Sequence, residues 1–253
     1  MCLIGIIYNK HTDYKLVIAA NRDEFYDRQT AHADFWKEYP YLLAGKDLEQ
    51  GGTWLGITKK GKFAALTNFR NPKDTLAGAP SRGLLVKNFL INDCSPTEYL
   101  EYLEKAGNEY NGFSILLYDL NEFCYFSNKD EKSIEFESGI FSLSNGSIND
   151  KWPKMKEIEK NLNVLTDERN ISNKLFKILM NDKPFPESQL PNTNIALEWE
   201  KVLSSVFVKS QNYGTRCSTV ITIDYQNNIH FFERTHLKRG VWSQTVHHEF
   251  EAE

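Results

Sequence analysis

Short apolar segments joined by tight polar turns constrain the fold of this chain most strongly. Strand-sized segments flank such turns at residues 9–13, 59–61 and 121–122. Neighbouring strands joined in this way form hairpins, so we expect antiparallel sheets. Helical patterns interrupt the strands twice, and regular strand–helix–strand alternation does not occur. This order predicts the α+β class, with helices layered on sheets, and disfavours a Rossmann fold or a (β/α)8 barrel.

The hydrophobic periodicity also places the individual elements. A first helix is predicted at residues 82–91, and a second begins at the capping box formed by Ser95, Pro96 and Glu98. A third helical region runs from residue 152 to about residue 203 and is broken at residues 183–186. The polar stretch 22–50 is too long for a routine connection and is predicted to be a functional loop. Strands are predicted at residues 2–8, 15–21, 54–58, 63–67, 113–118, 123–127, 140–144, 218–224, 229–235 and 240–246.

Composition narrows the functional classes. The 253 residues, 41% of them hydrophobic, suffice for one folded domain over residues 1–253. The formal net charge is -4, whereas general nucleic-acid-binding proteins carry an excess of basic residues, so the sequence does not indicate that class. No apolar run approaches the roughly 20 residues of a membrane-spanning helix, and no basic segment precedes the first apolar stretch. We therefore expect a cytoplasmic protein without a membrane span, and no pattern predicts its oligomeric state.

The second residue, Cys2, has a specific chemical use. The chain has four cysteines, at positions 2, 94, 124 and 217, with no CxxC pair, so reduced thiols are expected. If Met1 is removed, Cys2 carries a free α-amine, whose ordinary pKa of about 7.7–8.0 lies close to that of the thiol, about 8.5. This amine can act as the general base for its own side chain. The alternative is that Cys2 is a packing residue at the start of an apolar strand, which is the commoner role of cysteine.

A polar tetrapeptide follows the second predicted strand. It consists of Asn21, Arg22, Asp23 and Glu24, and such a strand end can arrange donors and acceptors in a cleft. Arg22 would lower the pKa of the Cys2 thiol if the two side chains lie close together. The alternative is a solvated turn whose charges pair with one another, and such pairs contribute little to stability.

Metal-binding patterns are weak. The six histidines form no HExxH motif or other tight ligand spacing, so we expect no built-in zinc site. His247 and His248 lie near the end of the sequence and are expected on a frayed terminus. Arg234, His236 and Lys238 alternate on one predicted strand, a pattern typical of a solvated or edge-protecting face.

Several short motifs together resemble a known family. They are the NRDE tetrapeptide at residues 21–24 and the blocks at residues 51–56, 67–70, 81–83, 143–145, 152–154 and 213–216. On these motifs, which span nearly the whole sequence in order, the chain resembles the NRDE family, also called the Transport and Golgi organization protein 2 family. The resemblance implies an N-terminal-nucleophile hydrolase-like fold, a four-layer αββα sandwich with two antiparallel sheets between helices, similar to choloylglycine hydrolases and penicillin V acylases.

The same resemblance implies catalytic roles for four residues. Cys2 would be both nucleophile and base, because those hydrolases cleave amide bonds with an N-terminal cysteine. Asn68 would resemble the asparagine of an oxyanion hole, where one donor typically contributes about 2.7–4 kcal/mol to transition-state stabilisation. Asn145 resembles a second catalytic asparagine, and Arg216 resembles an arginine late in the sequence.

Two functions follow from the resemblance. The first is an amide hydrolase or acyl-transfer enzyme that acts on a small acylated molecule, with Cys2 as nucleophile and no required cofactor. The second is a non-catalytic carrier of haem or acyl-coenzyme A. In the carrier, arginines would meet the carboxylates or phosphates of the ligand, because guanidinium groups pair with them bidentately. The predicted substrate-binding set is Asn21, Arg22, Asp23, Glu24 and Arg70, with Arg216 joining the arginines of the carrier.

Overall fold

The computed structural model describes residues 2–130, 132–238 and 241–253, with only the backbone of Trp242. The α-helices in these ranges are α1 (Gly83–Ile91), α2 (Pro96–Ala106), α3 (Pro153–Asn163), α4 (Ser172–Leu179) and α5 (Leu197–Val202). The strands are β1 (Cys2–Tyr8), β2 (Tyr14–Phe25), β3 (Thr30–Phe35), β4 (Leu42–Asp47), β5 (Leu55–Thr58), β6 (Phe63–Asn68), β7 (Phe113–Tyr118), β8 (Phe123–Ser127), β9 (Lys132–Glu135), β10 (Gly139–Leu143), β11 (Tyr213–Asp224), β12 (Asn228–His236) and β13 (Trp242–Glu251).

The strands form two antiparallel sheets, as the hairpins predict. One sheet has six strands in the order β10-β1-β2-β11-β12-β13, and the other has seven in the order β3-β4-β5-β6-β7-β8-β9. The strand order of the six-stranded sheet depends on long-range pairing, because β1 lies between its sequence neighbour β2 and the distant β10. The predicted α+β class with antiparallel sheets is confirmed.

The chain divides into two compact units, each built on one sheet. The first unit comprises residues 1–28, 138–144 and 148–249, and the second comprises residues 29–137, 145–147 and 250–253. Neither unit is a continuous segment, because the chain passes repeatedly from one to the other. The single domain over residues 1–253 remains a prediction.

In the first unit, helices α3 and α4 cover one face of the six-stranded sheet. Alternate residues of β1, represented by Leu3 and Ile7, pack with Ile158 and Leu162 of α3 in one buried cluster. Between those two strand residues stands Gly5, where an added Cβ would lie 2.6 Å from the Ile158 side chain. The glycine therefore lets α3 approach the sheet closely.

In the second unit, helices α1 and α2 pack on the seven-stranded sheet. Phe89 of α1 and Leu103 of α2 join Leu66 of β6 and Leu117 of β7 in one buried cluster. The capping box at Ser95 forms as predicted, with both reciprocal hydrogen bonds to Glu98 present. The longest helices in the described part of the chain have 11 residues, and no described helix is long and apolar enough to cross a membrane.

Three sequence predictions are wrong. The strand face with Arg234 and His236 is neither solvated nor edge-protecting, because His236 is 2% exposed and β12 lies between β11 and β13. The stretch 22–50 is not a loop, because β2 continues to Phe25 and the chain then forms β3 and β4. The prediction of a frayed terminus is also wrong, since His247 and His248 lie within β13, where pairing with β12 holds the backbone. Residue 240, the predicted start of the last strand, lies outside the described residues, as does Met1, on which the prediction of N-terminal processing depends.

Candidate active site

Cys2 is the first residue of β1 and lies directly opposite Arg22 of β2. Side chains alternate between the faces of a strand, and Leu3 packs towards the helices. Cys2 therefore lies on the face away from α3 and α4. Its backbone carbonyl accepts a hydrogen bond of 2.9 Å from Ser144 Oγ, and its thiol is in no disulfide. Cys2 is thus a half-buried thiol at a strand end, outside the apolar cluster under the helices.

The Arg22 guanidinium lies between two cysteines. On β2 it pairs with Cys2 on one side and with Cys217 of β11 on the other, so all three side chains share one face. Arg22 is only 6% exposed, and its Nη2 lies 3.8 Å from Glu24 Oε2, two residues along the same face. Arg22 and Cys2 are therefore neighbours, which is the condition under which Arg22 would lower the pKa of the thiol.

Burial dominates the protonation of both thiols. It raises the pKa of Cys2, the Asp23 carboxylate acts in the same direction, and Arg22 opposes them. Burial raises the pKa of Cys217 as well, and the nearby Glu233 carboxylate adds to the effect. Arg22 therefore does not by itself make Cys2 a thiolate at neutral pH, and a nucleophilic Cys2 needs a base.

Asp23 lies on the opposite face of β2 from Arg22, within a buried polar cluster. It is 1% exposed, and its Oδ1 accepts a hydrogen bond of 2.7 Å from Thr215 Oγ1. Burial raises the pKa of the Asp23 carboxyl, and the charge of the buried Lys154 acts in the other direction. Tyr213 Oη donates to the Asp23 backbone carbonyl at 2.8 Å. These contacts fasten the end of β2 to β11.

Asn21 also points to the helix-covered face, and its amide group is fully engaged there. Its Nδ2 donates to the carbonyl oxygens of Leu179 and Val206, both at 2.8 Å. Its Oδ1 accepts a hydrogen bond of 2.6 Å from Ser218 Oγ. The contacts join β2 to β11, to the end of α4 and to the segment after α5. Substrate binding by Asn21 remains a prediction from the sequence.

Arg216 occupies a β-bulge. The register between β2 and β11 shifts between Thr215 and Cys217, which leaves Arg216 as the extra residue. Its Nη1 donates to the carbonyl oxygens of Phe25 at 2.7 Å and of Arg28 at 3.2 Å. Burial lowers the pKa of its guanidinium, and the neighbouring Arg22 charge adds to this effect. Arg216 thus holds the chain segment that follows β2.

Asn68, Asn145 and Arg70 meet in the second unit. Asn145 Nδ2 donates to the Asn68 carbonyl at 2.8 Å, and the Arg70 amide donates to the Asn145 carbonyl at 2.7 Å. Asn145 is 1% exposed, so its side chain is held in a fixed position. The structure therefore brings Asn145 together with Asn68 and Arg70, two predicted site residues that lie far earlier in the sequence. Their catalytic and binding roles remain predictions.

A cavity of about 280 Å³ lies beside Asn68 and Arg70. Its other charged lining residues are Arg82, Lys129 and Asp74. Arg82 Nη1 donates to the Gly112 carbonyl at 2.8 Å, and Lys129 Nζ lies 3.5 Å from Asp74 Oδ2. With three cationic side chains and one carboxylate, the cavity carries a positive charge that favours anionic groups.

Two glycine-containing motifs of the sequence contact each other in the same unit. The Thr53 amide donates to the Gly83 carbonyl at 3.1 Å. A Cβ at Gly52 would lie 2.5 Å from the Gly83 backbone, so only glycine allows this approach. The glycines at positions 52 and 83 in these blocks are therefore explained by close backbone packing at the start of α1.

Comparison with known proteins agrees with the sequence motifs. A family model described as Transport and Golgi organisation 2 matches residues 1–238. The chain belongs to this family. The Transport and Golgi organization protein 2 homologs of Bos taurus and Homo sapiens are 35% and 34% identical, and the alignments cover 98% and 95% of both chains. The Drosophila melanogaster protein is 27% identical over 97% of this chain and 96% of its own.

The fold of this Transport and Golgi organisation 2 family member also has a solved counterpart. The N-acylethanolamine-hydrolyzing acid amidase ortholog of Caenorhabditis elegans aligns over 87% of this chain and 92% of its own, with a TM-score of 0.50. At 13% sequence identity, the likeness concerns the fold alone. The predicted N-terminal-nucleophile hydrolase-like fold is confirmed.

Sequence reasoning missed three residues around Arg22 and Asp23. The sequence marks Cys217 only as a reduced thiol, does not single out Glu233, and includes Lys154 only within the family block at residues 152–154. The structure places Cys217 opposite Arg22, and it places Thr219 Oγ1 3.3 Å from Glu233 Oε2 on the same face of the sheet. No spacing motif links residues so far apart, and only the pairing of β2, β11 and β12 reveals the group.

Proposed function

We propose that this protein is an amide or thioester hydrolase, or an acyl-transfer enzyme, whose nucleophile is Cys2 after removal of Met1. The observation that carries the proposal is the position of Cys2: a half-buried thiol, in no disulfide, at the outer end of β1 and directly opposite Arg22. A small acylated molecule is the proposed substrate class. Membership of the family and the hydrolase-like fold support this reading.

The reaction needs a base, because the pKa of the Cys2 thiol is raised. Because burial raises the pKa of Cys2, the thiol is neutral at physiological pH. The α-amine that Met1 removal exposes takes the thiol proton as sulfur attacks the acyl carbonyl. Collapse of the tetrahedral intermediate forms a thioester to Cys2, and the proton passes to the departing amine or thiol. Water then hydrolyses the thioester, or a second nucleophile accepts the acyl group.

The proposed oxyanion donors are Asn68 and Asn145. Removing one such donor lowers kcat by about 10²–10³-fold in well-studied hydrolases. Asn145 Nδ2 already donates to the Asn68 carbonyl, so Asn145→Ala also removes a contact that positions Asn68. Comparing Asn68→Ala with Asn145→Ala in stability and in turnover separates a catalytic loss from a structural one.

Intact mass spectrometry tests the nucleophile directly. The native protein is weighed before and after brief exposure to iodoacetamide, and we expect loss of Met1 with one fast alkylation that Cys2→Ser abolishes. Cys94→Ser is the matched control, since Cys94 is also half-buried and burial also raises its pKa. Retention of Met1, or equal labelling of wild type and Cys2→Ser, would contradict the proposed nucleophile.

Turnover is then measured on N-acyl amides and acyl-coenzyme A thioesters. We expect Cys2→Ser to lower kcat at least about 10³-fold and to abolish the acyl-enzyme mass, as nucleophile removal does in other hydrolases. Cys94→Ser should leave both unchanged. Turnover in Cys2→Ser equal to wild type would refute the enzyme proposal.

The cationic cavity beside Arg70 supports a second candidate, a carrier of an anionic apolar ligand such as haem or acyl-coenzyme A. A volume of about 280 Å³ lies just below the range of about 300–1,000 Å³ typical of ligand pockets. The cavity would therefore take a carboxylate or phosphate end of the ligand rather than the whole molecule. Arg70 and Arg82 are the proposed contacts.

Titrations of haem by absorbance and of acyl-coenzyme A by calorimetry test the carrier. Arg70→Ala and Arg82→Ala should each weaken binding about tenfold or more, because each removes a charged hydrogen-bond partner. Lys105→Ala, an exposed lysine on α2, is the control for loss of one positive charge. Absence of saturable binding for both ligands would remove the carrier proposal and leave the enzyme proposal intact.

A further inference from the structure

Two histidines and a glutamate cluster on the outer strands of the six-stranded sheet. His230 lies on β12, while His247 and Glu249 lie two residues apart on β13 and therefore share one face. One side-chain donor atom from each residue can be chosen so that all three lie within 4.8 Å of one another. Residues 247 and 249 lie beyond the part of the chain that the family model matches.

The separations between the donor atoms suit a tetrahedral metal ion. His230 Nδ1 lies 3.3 Å from His247 Nε2 and 3.6 Å from Glu249 Oε2. Zinc–nitrogen and zinc–oxygen bonds of about 2.0–2.2 Å at tetrahedral angles place neighbouring ligand atoms about 3.3–3.5 Å apart. These two distances match two of the three separations between ligand atoms in such a site.

The environment also favours imidazole as a ligand. The His247 ring stacks on Phe232, with ring centroids 4.0 Å apart and planes inclined by 6°, which limits its rotation. Imidazole is the commonest metal ligand among protein side chains. The facing nitrogens of His230 and His247 are 3.3 Å apart, at the long end of the hydrogen-bond range.

A cavity of about 470 Å³ adjoins the cluster. His230 and His247 line it together with Arg234 and Ser172, among other residues. An ion bound by two imidazoles and one carboxylate has a fourth tetrahedral position left for water or an anion. The cavity provides space for that ligand, and Arg234 supplies a positive charge in the same wall.

We propose that His230, His247 and Glu249 form a binding site for one divalent transition-metal ion of the zinc class, which links β12 to β13. This reverses the expectation from sequence spacing, since ligands on two strands need no short motif. The site is independent of the chemistry proposed for Cys2. Each proposal can therefore fail without the other.

Titration of the full-length, metal-free protein with Co²⁺ tests the site. We expect one equivalent to produce the visible absorption of tetrahedral cobalt, without the near-ultraviolet band of a thiolate ligand. Zn²⁺ should displace the cobalt, and calorimetry should give a Zn²⁺ Kd of about 10 μM or tighter. A thiolate band would assign the metal to a cysteine and overturn the proposal, as would the absence of saturable binding.

Three variants identify the ligands. His247→Ala and Glu249→Gln should each weaken Zn²⁺ binding at least tenfold. Glu249→Gln preserves the ring stacking on Phe232, so it reports on binding even if His247→Ala disturbs the fold. His248→Ala is the matched control, because His248 lies on the opposite face of β13. Equal affinity in wild type, His247→Ala and Glu249→Gln would refute the assignment.

Thermal unfolding supplies a second readout. A metal that binds only the folded chain, at about 100 times its Kd, should raise Tm by roughly 5–10 °C. Wild type and His248→Ala should show the increase, and Glu249→Gln should not. An equal increase in Glu249→Gln would place the stabilising metal elsewhere and contradict the proposal.

Discussion

Replacing Asn21 with alanine tests whether the first residue of the NRDE segment supports the fold rather than the site. Its side chain is 1% exposed and makes three hydrogen bonds of 2.6–2.8 Å. Two go from Nδ2 to the carbonyls of Leu179 and Val206, and Oδ1 accepts the third from Ser218. Alanine removes all three and leaves two buried carbonyls and a hydroxyl without this partner.

The expected loss of stability follows from these contacts. A buried hydrogen bond contributes about 0.5–1.5 kcal/mol net, and a buried group that loses its partner costs about 1–3 kcal/mol. Three bonds that converge on one amide group therefore predict a destabilisation of about 3 kcal/mol. For a chain of this size, that corresponds to a fall in Tm of about 6–12 °C.

Urea unfolding followed by circular dichroism measures the change. Asn108→Ala is the matched control, because Asn108 is exposed in the short 3-10 helix Gly107–Glu109 and should change stability by less than about 0.5 kcal/mol. Ser218→Ala and the double variant complete a cycle, in which we expect a coupling of about 1 kcal/mol between Asn21 and Ser218.

One result would refute this reasoning. If Asn21→Ala unfolds within about 1 kcal/mol of wild type but loses more than tenfold in turnover or ligand affinity, Asn21 acts in the site. The NRDE segment would then have a functional residue on each face of β2. The structure predicts the opposite division, with Asn21 and Asp23 holding the fold and Arg22 and Glu24 lying on the face of Cys2.

Three further changes test separate parts of the structure. Burial lowers the pKa of His236 from 6.5 to about 4, so between these values the unfolded chain binds a proton that the folded chain does not. The free energy of unfolding should therefore fall by up to about 3 kcal/mol as the pH is lowered from 6.5 to 4. Urea unfolding at several pH values should show a weaker dependence in His236→Gln, and an unchanged slope would contradict this. Gly5→Val should lower the free energy of unfolding by about 1–3 kcal/mol, since the new Cβ would lie within 3 Å of Ile158 and Leu162. If this variant had the same Tm as wild type, α3 would be able to shift freely. Ser95→Ala should lower the free energy of unfolding by about 0.5–2 kcal/mol, because it removes the α2 cap, and an unchanged urea midpoint would mean that the capping box is not stabilising.

Local patterns in the sequence predicted much of the fold. The bounds of β1, β7 and β8 agree with the predicted strands, and α2 begins at the predicted capping box. These elements depend on the alternation of nearby apolar residues and on one capping contact, which are properties of short segments. The family motifs are likewise properties of the linear sequence. The strands β3, β4 and β9 were missed, because only partner strands in the second sheet show that they are paired.

The composition of the site depended on long-range pairing. The predicted strand ends at residue 21, so the sequence shows neither that Asn21 and Asp23 share one face of β2 nor that α4 covers that face. The position of Cys217 beside Arg22 depends on the register of β2 with β11, which a bulge at Arg216 shifts by one residue. The cluster of His230, His247 and Glu249 also exists only because β12 pairs with β13.

The sequence by itself therefore determined the α+β class, the family and the identity of the thiol at position 2. Tertiary structure decided which polar side chains face that thiol, which are buried beneath helices, and which could together hold a metal ion. The physical reason is that periodicity and capping act within a few residues, whereas each of these groupings requires hydrogen-bonded strands that are distant in sequence.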